Sequence, residues 1–223
     1  MTGSSAARAA ELAALAAKAS VCTACRLHEE RTQVVFGSGA PDADLMFVGE
    51  GPGLREDEQG LPFVGPSGKL LEELLGEIGL SREQVYIANV VKCRPPKNRD
   101  PRPDEIDACK GYLRSQLQLV DPTCVVTLGN FASKLLLRTE TGITRVRGRA
   151  YEWWGRYLVP TYHPAAALRG RGQVLDEIRQ DFALVANVLA GNLSPPPSDE
   201  DQSTPDASFD EEPKAEQLGL FGA

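Results

Sequence analysis

The chain has 223 residues, 42% of them hydrophobic, enough for one domain of ordinary size with its own core and some sequence to spare. Its formal charge of −7 would speak against a polyanionic partner, but residues 194–223 carry eight acidic side chains against Lys214 alone. Residues 1–193 therefore balance, with 23 acidic and 23 basic side chains, and a neutral body can still carry a basic face.

Residues 1–20 are alanine-rich, with the apolar run interrupted by Arg8, Glu11 and Lys18. Such a run is too short for a signal peptide or a membrane span, so an amphipathic helix and residence in the cytoplasm are expected. The apolar run 45–48 reads as a buried strand and leads directly into GEGPG at residues 49–53. Residues 66–80 place Leu70, Leu71, Leu74, Leu75 and Ile78 on one helical face, with Gly79 near the end. A second strand, 85–91, contains Asn89, and a second helix starts at Pro103, a favoured first helical position, with Ile106, Cys109, Leu113 and Leu117 on one face. The run 124–128 is a third strand, leading into Gly129 and a short helix over 130–137. Residues 144–159, with Gly155 and Arg156 in the middle, suggest an added hairpin, and residues 157–161 are a fourth strand running into His163. A longer helix follows over 173–189.

Strands alternating with helices imply a parallel sheet covered on both faces. In such a sheet the ligand crevice lies beyond the carboxyl ends of the strands, where Glu50, Asn89, Gly129 and His163 would converge. Beyond residue 192 a Pro-rich, acidic stretch poor in hydrophobic residues cannot offset its ordering entropy, and disorder is expected over 194–216. The end turns apolar again at Gln217, Leu218, Leu220 and Phe221.

The cysteines form a second constellation. Cys22 and Cys25 make a CxxC, Cys93 and Cys109 are more widely spaced, and Cys124 stands apart inside an apolar strand, as a small buried thiol would. In an intracellular protein a CxxC points to a metal site or a redox pair rather than a structural disulfide. Four thiolates could hold zinc or an iron–sulfur cluster, and spacing alone barely separates the two.

Several motifs, in order, carry a resemblance over roughly residues 20 to 190. They are GEGPG with Glu56 and Asp57 after it, LPFVGPSGKLL at 61–71, ANVVKCRPPKNRDPRPDEIDAC at 88–109 and HPAAALR at 163–169. Together they resemble family 4 uracil-DNA glycosylases. The resemblance implies removal of uracil from DNA, a three-layer α/β/α sandwich around a four-stranded parallel sheet, and a [4Fe–4S] cluster whose ligands fall on Cys22, Cys25, Cys93 and Cys109. The domain would span residues 1–193.

The residues suit that chemistry. A flipped base is read by stacking and by hydrogen bonds to its Watson–Crick edge. Phe63 is a stacking platform, Gly51 lies along the substrate site, and the amide of Asn89 can offer the acceptor and donor that uracil N3–H and O4 require. Cytosine reverses that pattern. Bond cleavage leaves a uracil anion, so a ring N–H of His163 aimed at O2 would stabilise the developing charge. Glu50 is the carboxylate for positioning or activating water. Related glycosylase families place an aspartate at the position of Gly51, so Glu56 and Asp57 are fallback candidates. His28, in the cysteine-rich segment, reads as structural.

DNA contacts should be phosphate-directed, with candidates Lys92, Arg94, Lys97 and Arg99, then Arg145, Arg147 and Arg149, then Arg169 and Arg171. By resemblance, Leu168 is an apolar wedge that enters the duplex. The terminal QLGLF, residues 217–221, resembles the peptide by which bacterial repair proteins bind the sliding clamp, here on a disordered tether. A monomer acting on single- or double-stranded DNA is expected. A phosphate-loop enzyme is disfavoured because Pro52 removes a backbone N–H that such a loop would use. The remaining alternatives are a non-catalytic iron–sulfur DNA-binding protein and a relative that traps uracil-DNA covalently. The latter resembles this family with a histidine-bearing loop, and PKNRDPRP at 96–103 has no histidine.

Overall fold

The computed structural model describes residues 4–170 and 172–192. Arg171, the expected tether at 194–216 and the terminal peptide at 217–223 lie outside the described residues.

Four parallel strands carry the fold: β2 (Leu45–Gly49), β3 (Tyr86–Asn89), β4 (Cys124–Leu128) and β6 (Arg156–Thr161). Short antiparallel strands flank them, β1 (Ser38–Gly39) on β3 and β5 (Tyr151–Trp153) on β6, giving the order β1-β3-β2-β4-β6-β5. The sheet thus has six strands, not four. The extra two escape a hydrophobicity reading for physical reasons. β1 is two residues long and begins just after Gly37, whose φ of 140° few other residues adopt. β5 is the outer arm of a tight hairpin that turns at Trp154 and Gly155. Edge strands this short offer little unpaired backbone to a second sheet.

Every residue of β2, β3 and β4 is buried. One face is covered by α1 (Ser5–Ser20), α4 (Pro103–Val120) and α5 (Asn130–Leu137), through Leu12, Leu113, Leu117 and Leu136. The opposite face is covered by α3 (Pro66–Glu77) and α8 (Gln173–Leu189), where the Phe182 ring stacks on Phe47 at 5.8 Å. The short helices α2 (Leu54–Gln59), α6 (Ile143–Val146) and α7 (Pro164–Arg169) sit in the connections. Helix α6 occupies the start of the segment expected to be hairpin. Helix α3 ends at Glu77, three residues short of the expected limit, before Gly79 at φ 76°. Among the described residues no helix is long and apolar enough to cross a membrane.

The chain steps from β2 outward to β3, returns past β2 to β4, and continues outward to β6. The winding direction therefore reverses between β2 and β4, and the loops leaving these two strands part around a crevice.

Candidate active site

A cavity of about 390 Å³ lies beyond the carboxyl ends of β2, β3 and β6, lined by Glu50, Gly51, Pro52, Gly53, Glu56, Phe63, Ser67, Asn89, Asn98, Asp100, His163, Ala165 and Arg169, while Gly129 after β4 stays outside the lining. The structure thus brings together Glu50, Gly51, Phe63, Asn89, His163 and Arg169 of the sequence-derived set. Backbone bonds weld the exits of β2 and β3, with Val90 N–H donating to Gly49 O at 2.9 Å and Val91 N–H to Glu50 O at 3.1 Å.

Missing side chains make the close approach possible. A Cβ on Gly49 would lie 2.3 Å from Asn89 Oδ1 and 3.0 Å from the Phe63 ring, and one on Gly68 would strike the Phe63 carbonyl. Gly129, at φ 96°, lets the chain pass His163 Cβ. Phe63 sits at φ 53°, with its loop held by Arg82, whose guanidinium donates to the carbonyls of Pro62 and Phe63.

Asn89 is buried, and its Oδ1 has no hydrogen-bond partner. Leaving such an acceptor unpaired costs about 1–3 kcal/mol, which a ligand N–H can recover. Its backbone carbonyl accepts from Lys92 Nζ at 2.7 Å, and the same ammonium donates to Gln116 Oε1 at 2.5 Å. Lys92 is therefore a buried support beneath Asn89, not the surface phosphate contact expected from its sequence neighbours.

His163 caps α7 by accepting the Ala165 N–H on Nδ1 at 3.1 Å. An accepting Nδ1 leaves the ring proton on Nε2. Burial, reinforced by the Arg169 charge, pulls the imidazole down to about 4, so it is neutral at physiological pH. The Phe63 and His163 rings face one another, with centroids 5.4 Å apart and planes 25° from parallel.

The acidic residues take different roles. Glu50 is held at about 7, first by burial and then by the charge and hydrogen bond of Asp100. Glu56 Oε1 accepts the Val64 and Gly65 N–H groups at 3.1 Å, tying the Phe63 loop to α2 just ahead of α3. Asp57 is buried and accepts the Thr32 N–H with both oxygens at 3.0 Å, away from the cavity lining.

The basic candidates also divide. Lys97 is exposed beside the cavity-lining Asn98, Arg94 Nε bonds Asn98 Oδ1 at 2.7 Å, and exposed Arg169 lines the cavity. Leu168, next in the chain to the cavity-lining Arg169, is 52% exposed. Arg145 and Arg149 are exposed. Arg99 grips the buried carboxylate of Glu105 with two bonds, at 2.6 and 2.8 Å. Arg147 is turned inward, donating to Asp181 at 2.8 and 3.0 Å, and Asp181 accepts from Thr161 at the end of β6. The structure thus employs Arg147 to brace the strand that carries His163, and its fork is not presented at the surface.

Cys22, Cys25, Cys93 and Cys109 line a second, much smaller cavity of about 20 Å³, with Arg31, Lys92 and Tyr112 among its walls. Among the described residues no three His, Cys, Asp or Glu side chains are grouped to hold a metal ion. The donor chemistry nevertheless fits an iron–sulfur cluster, which holds its thiolates farther apart than one ion does. All four donors are thiols, and no carboxylate lines the cavity. Sulfur acceptors already have donors: Arg31 reaches Cys93 Sγ and the Lys92 N–H reaches Cys109 Sγ, each at 3.3 Å. Burial pushes the free Cys109 thiol up to about 11 and raises Cys25 and Cys93. His28 bonds Cys25 O at 2.9 Å and lines neither cavity, and Cys124 is buried in β4.

Asp100 is the residue here that sequence spacing did not single out, because nothing in the PKNRDPRP loop marks one carboxylate as turned towards the pocket. The clearances at Gly49 and Gly68 were equally silent, since any strand-end or helical glycine reads alike in one sequence.

A family model described as the uracil DNA glycosylase superfamily matches residues 36–187. Among similar proteins, the type-4 uracil-DNA glycosylase of Thermotoga maritima is 49% identical over 159 residues, covering 70% of this chain and 83% of the relative. The type-4 enzyme of Archaeoglobus fulgidus is 46% identical over 182 residues, 78% of this chain and 90% of the relative. The type-5 uracil-DNA glycosylase of Thermus thermophilus is 32% identical over 178 residues, 70% of this chain and 80% of the relative.

Proposed function

The chain belongs to the uracil DNA glycosylase superfamily, and we propose that it is a DNA-repair hydrolase that excises uracil from single- or double-stranded DNA, leaving an abasic site and free uracil. The observation that carries this reading is the unpaired Oδ1 of Asn89 in the same cavity as a neutral His163 whose proton sits on Nε2. One group awaits an N–H and the other offers one, as uracil N3–H and O2 require.

Uracil, flipped out of the helix, packs against Phe63 and presents its edge to Asn89. As the C1′–N1 bond breaks, its electron pair moves onto the base, and His163 Nε2–H stabilises the charge growing at O2. Glu50 accepts a proton from water as the water oxygen bonds to C1′, and it steadies the cationic sugar meanwhile. Gly51 lines the cavity, and its missing side chain lets this turn lie close against Val91, which a Cβ there would approach to 2.9 Å. Arg94, Lys97 and Arg169 would meet phosphates, and Leu168 would fill the space that the base vacates. Arg99 and Arg147 support the site from within.

Cys22, Cys25, Cys93 and Cys109 would hold a [4Fe–4S] cluster, which when bound supplies a covalent cross-link rather than a reaction step. It would tie the segment after α1 to the β3 exit and to α4. Residues 194–216 would tether Gln217, Leu218, Leu220 and Phe221 as a sliding-clamp ligand, and deleting residues 217–223 should abolish clamp binding while sparing excision from short oligonucleotides.

Alkaline cleavage of labelled oligonucleotides containing one deoxyuridine, thymine or cytosine tests the activity. Cleavage at uracil alone is expected. A covalent protein–DNA band on a denaturing gel would support trapping instead, and no product from iron-loaded protein would reject catalysis.

A further inference from the structure

The mechanism above leaves one pocket carboxylate unused. Asp100 stands at the mouth, on the loop between β3 and α4, and its carboxyl contacts that of Glu50 through a hydrogen bond. Building on the glycosylase reading, we infer that Asp100 is a positioning residue for Glu50: the contact between the two carboxyls aims Glu50 into the pocket, where it meets the water.

Both partners stand on fixed backbone. Arg99 Nη1 donates to the Asp100 carbonyl at 2.9 Å while its fork is locked on Glu105. Glu105 is fully buried and also accepts the Arg102 N–H at 2.8 Å, which secures the start of α4. On the other side, the Glu50 carbonyl is held by Val91 N–H. Burial, and then the neighbouring Asp100 carboxyl, keep the proton on Glu50 to higher pH.

The other charged or titratable groups of the cavity do not replace Asp100. Glu56 of α2 spends an oxygen on two backbone N–H groups, His163 is neutral above about pH 4, and Arg169 of α7 is a cation that would ease ionisation of Glu50. Glu50 is nonetheless held at about 7, with burial and Asp100 as the causes. A base matched to the working pH transfers protons most effectively. Asp100 is exposed in the free protein, so water screens the contact, and DNA laid across the mouth should strengthen it. In the step itself one water proton passes to Glu50, the water oxygen bonds to C1′, and the C1′–N1 electron pair leaves with uracil.

Single-turnover excision from a single-stranded uracil oligonucleotide, followed from about pH 5 to about pH 9, tests the role. The wild-type rate should fall below about pH 7. In Asp100→Asn that acidic limb should move down by about one pH unit with a plateau several-fold lower, while Asp100→Glu restores the wild-type limb. Added to Glu50→Gln, the Asp100→Asn change should alter the rate by no more than about twofold, because it acts through Glu50. Superimposable wild-type and Asp100→Asn profiles would overturn the assignment, as would an unchanged effect of Asp100→Asn in the Glu50→Gln background. Absence of excision by the wild type at every pH would remove the glycosylase reading and this role with it.

Discussion

The cavity at Asn89 and the cysteine cavity meet along the exit of β3 and are built to opposite plans. The pocket is preformed: about 390 Å³ of space, a neutral imidazole with a fixed tautomer, and an amide acceptor with its bond unmade. The cysteine cavity is about 20 Å³ and lined by two buried and two half-buried thiols, with burial pushing Cys109 up to about 11 and raising Cys25 and Cys93. Under the proposed reading, a bound cluster would take the thiol protons and draw the sulfurs into a ligand set. Lys92 links the two cavities, since its backbone N–H reaches Cys109 Sγ while its ammonium carries the Asn89 carbonyl.

The comparison can be broken at either end. His163→Ala removes the oxyanion donor and should lower single-turnover uracil excision by about 10²–10³-fold while leaving iron content unchanged. Gly49→Ala forces a methyl group against Asn89 Oδ1 and Phe63, and a displacement near 1 Å there should cost about 10²-fold, again with iron retained. Cys93→Ala should act in reverse, losing iron and visible absorbance, lowering the melting temperature, and reducing excision several-fold as the β3 exit loosens. Wild-type excision by an iron-free Cys93→Ala protein would show the two regions to be independent. Gly76→Ala is the smallest change: its Cβ meets nothing within 4 Å, so it should stabilise α3 by up to about 1 kcal/mol with no effect on either region.

Much of this was legible in the sequence. The apolar runs at 45–48, 124–128 and 157–161 each proved to lie within a parallel strand, and the helices starting at Pro103, Asn130 and Gln173 begin where periodicity and proline place them. Glu50, Asn89 and His163 could be found because each stands at or just beyond the end of such a strand. The illegible parts depend on direction. Lys92, Arg94, Lys97 and Arg99 look alike in the sequence, yet Lys92 points into the core and Arg99 at Glu105, each drawn by a buried partner far along the chain or on the next helix. Arg147 was misplaced for the same reason, its partner Asp181 lying 34 residues away. The proton on His163 depended on the Ala165 N–H, a contact that exists only once α7 has formed.

Asn89→Leu tests the central claim most directly, because it keeps the shape of the side chain and removes only its polar atoms. If Oδ1 is held unpaired for uracil, this variant should melt no lower than the wild type, since the orphan acceptor disappears, while single-turnover uracil excision falls by at least about 10²-fold. A variant that melts well below the wild type yet still excises uracil at the wild-type rate would show Asn89 to be a structural residue and contradict the account.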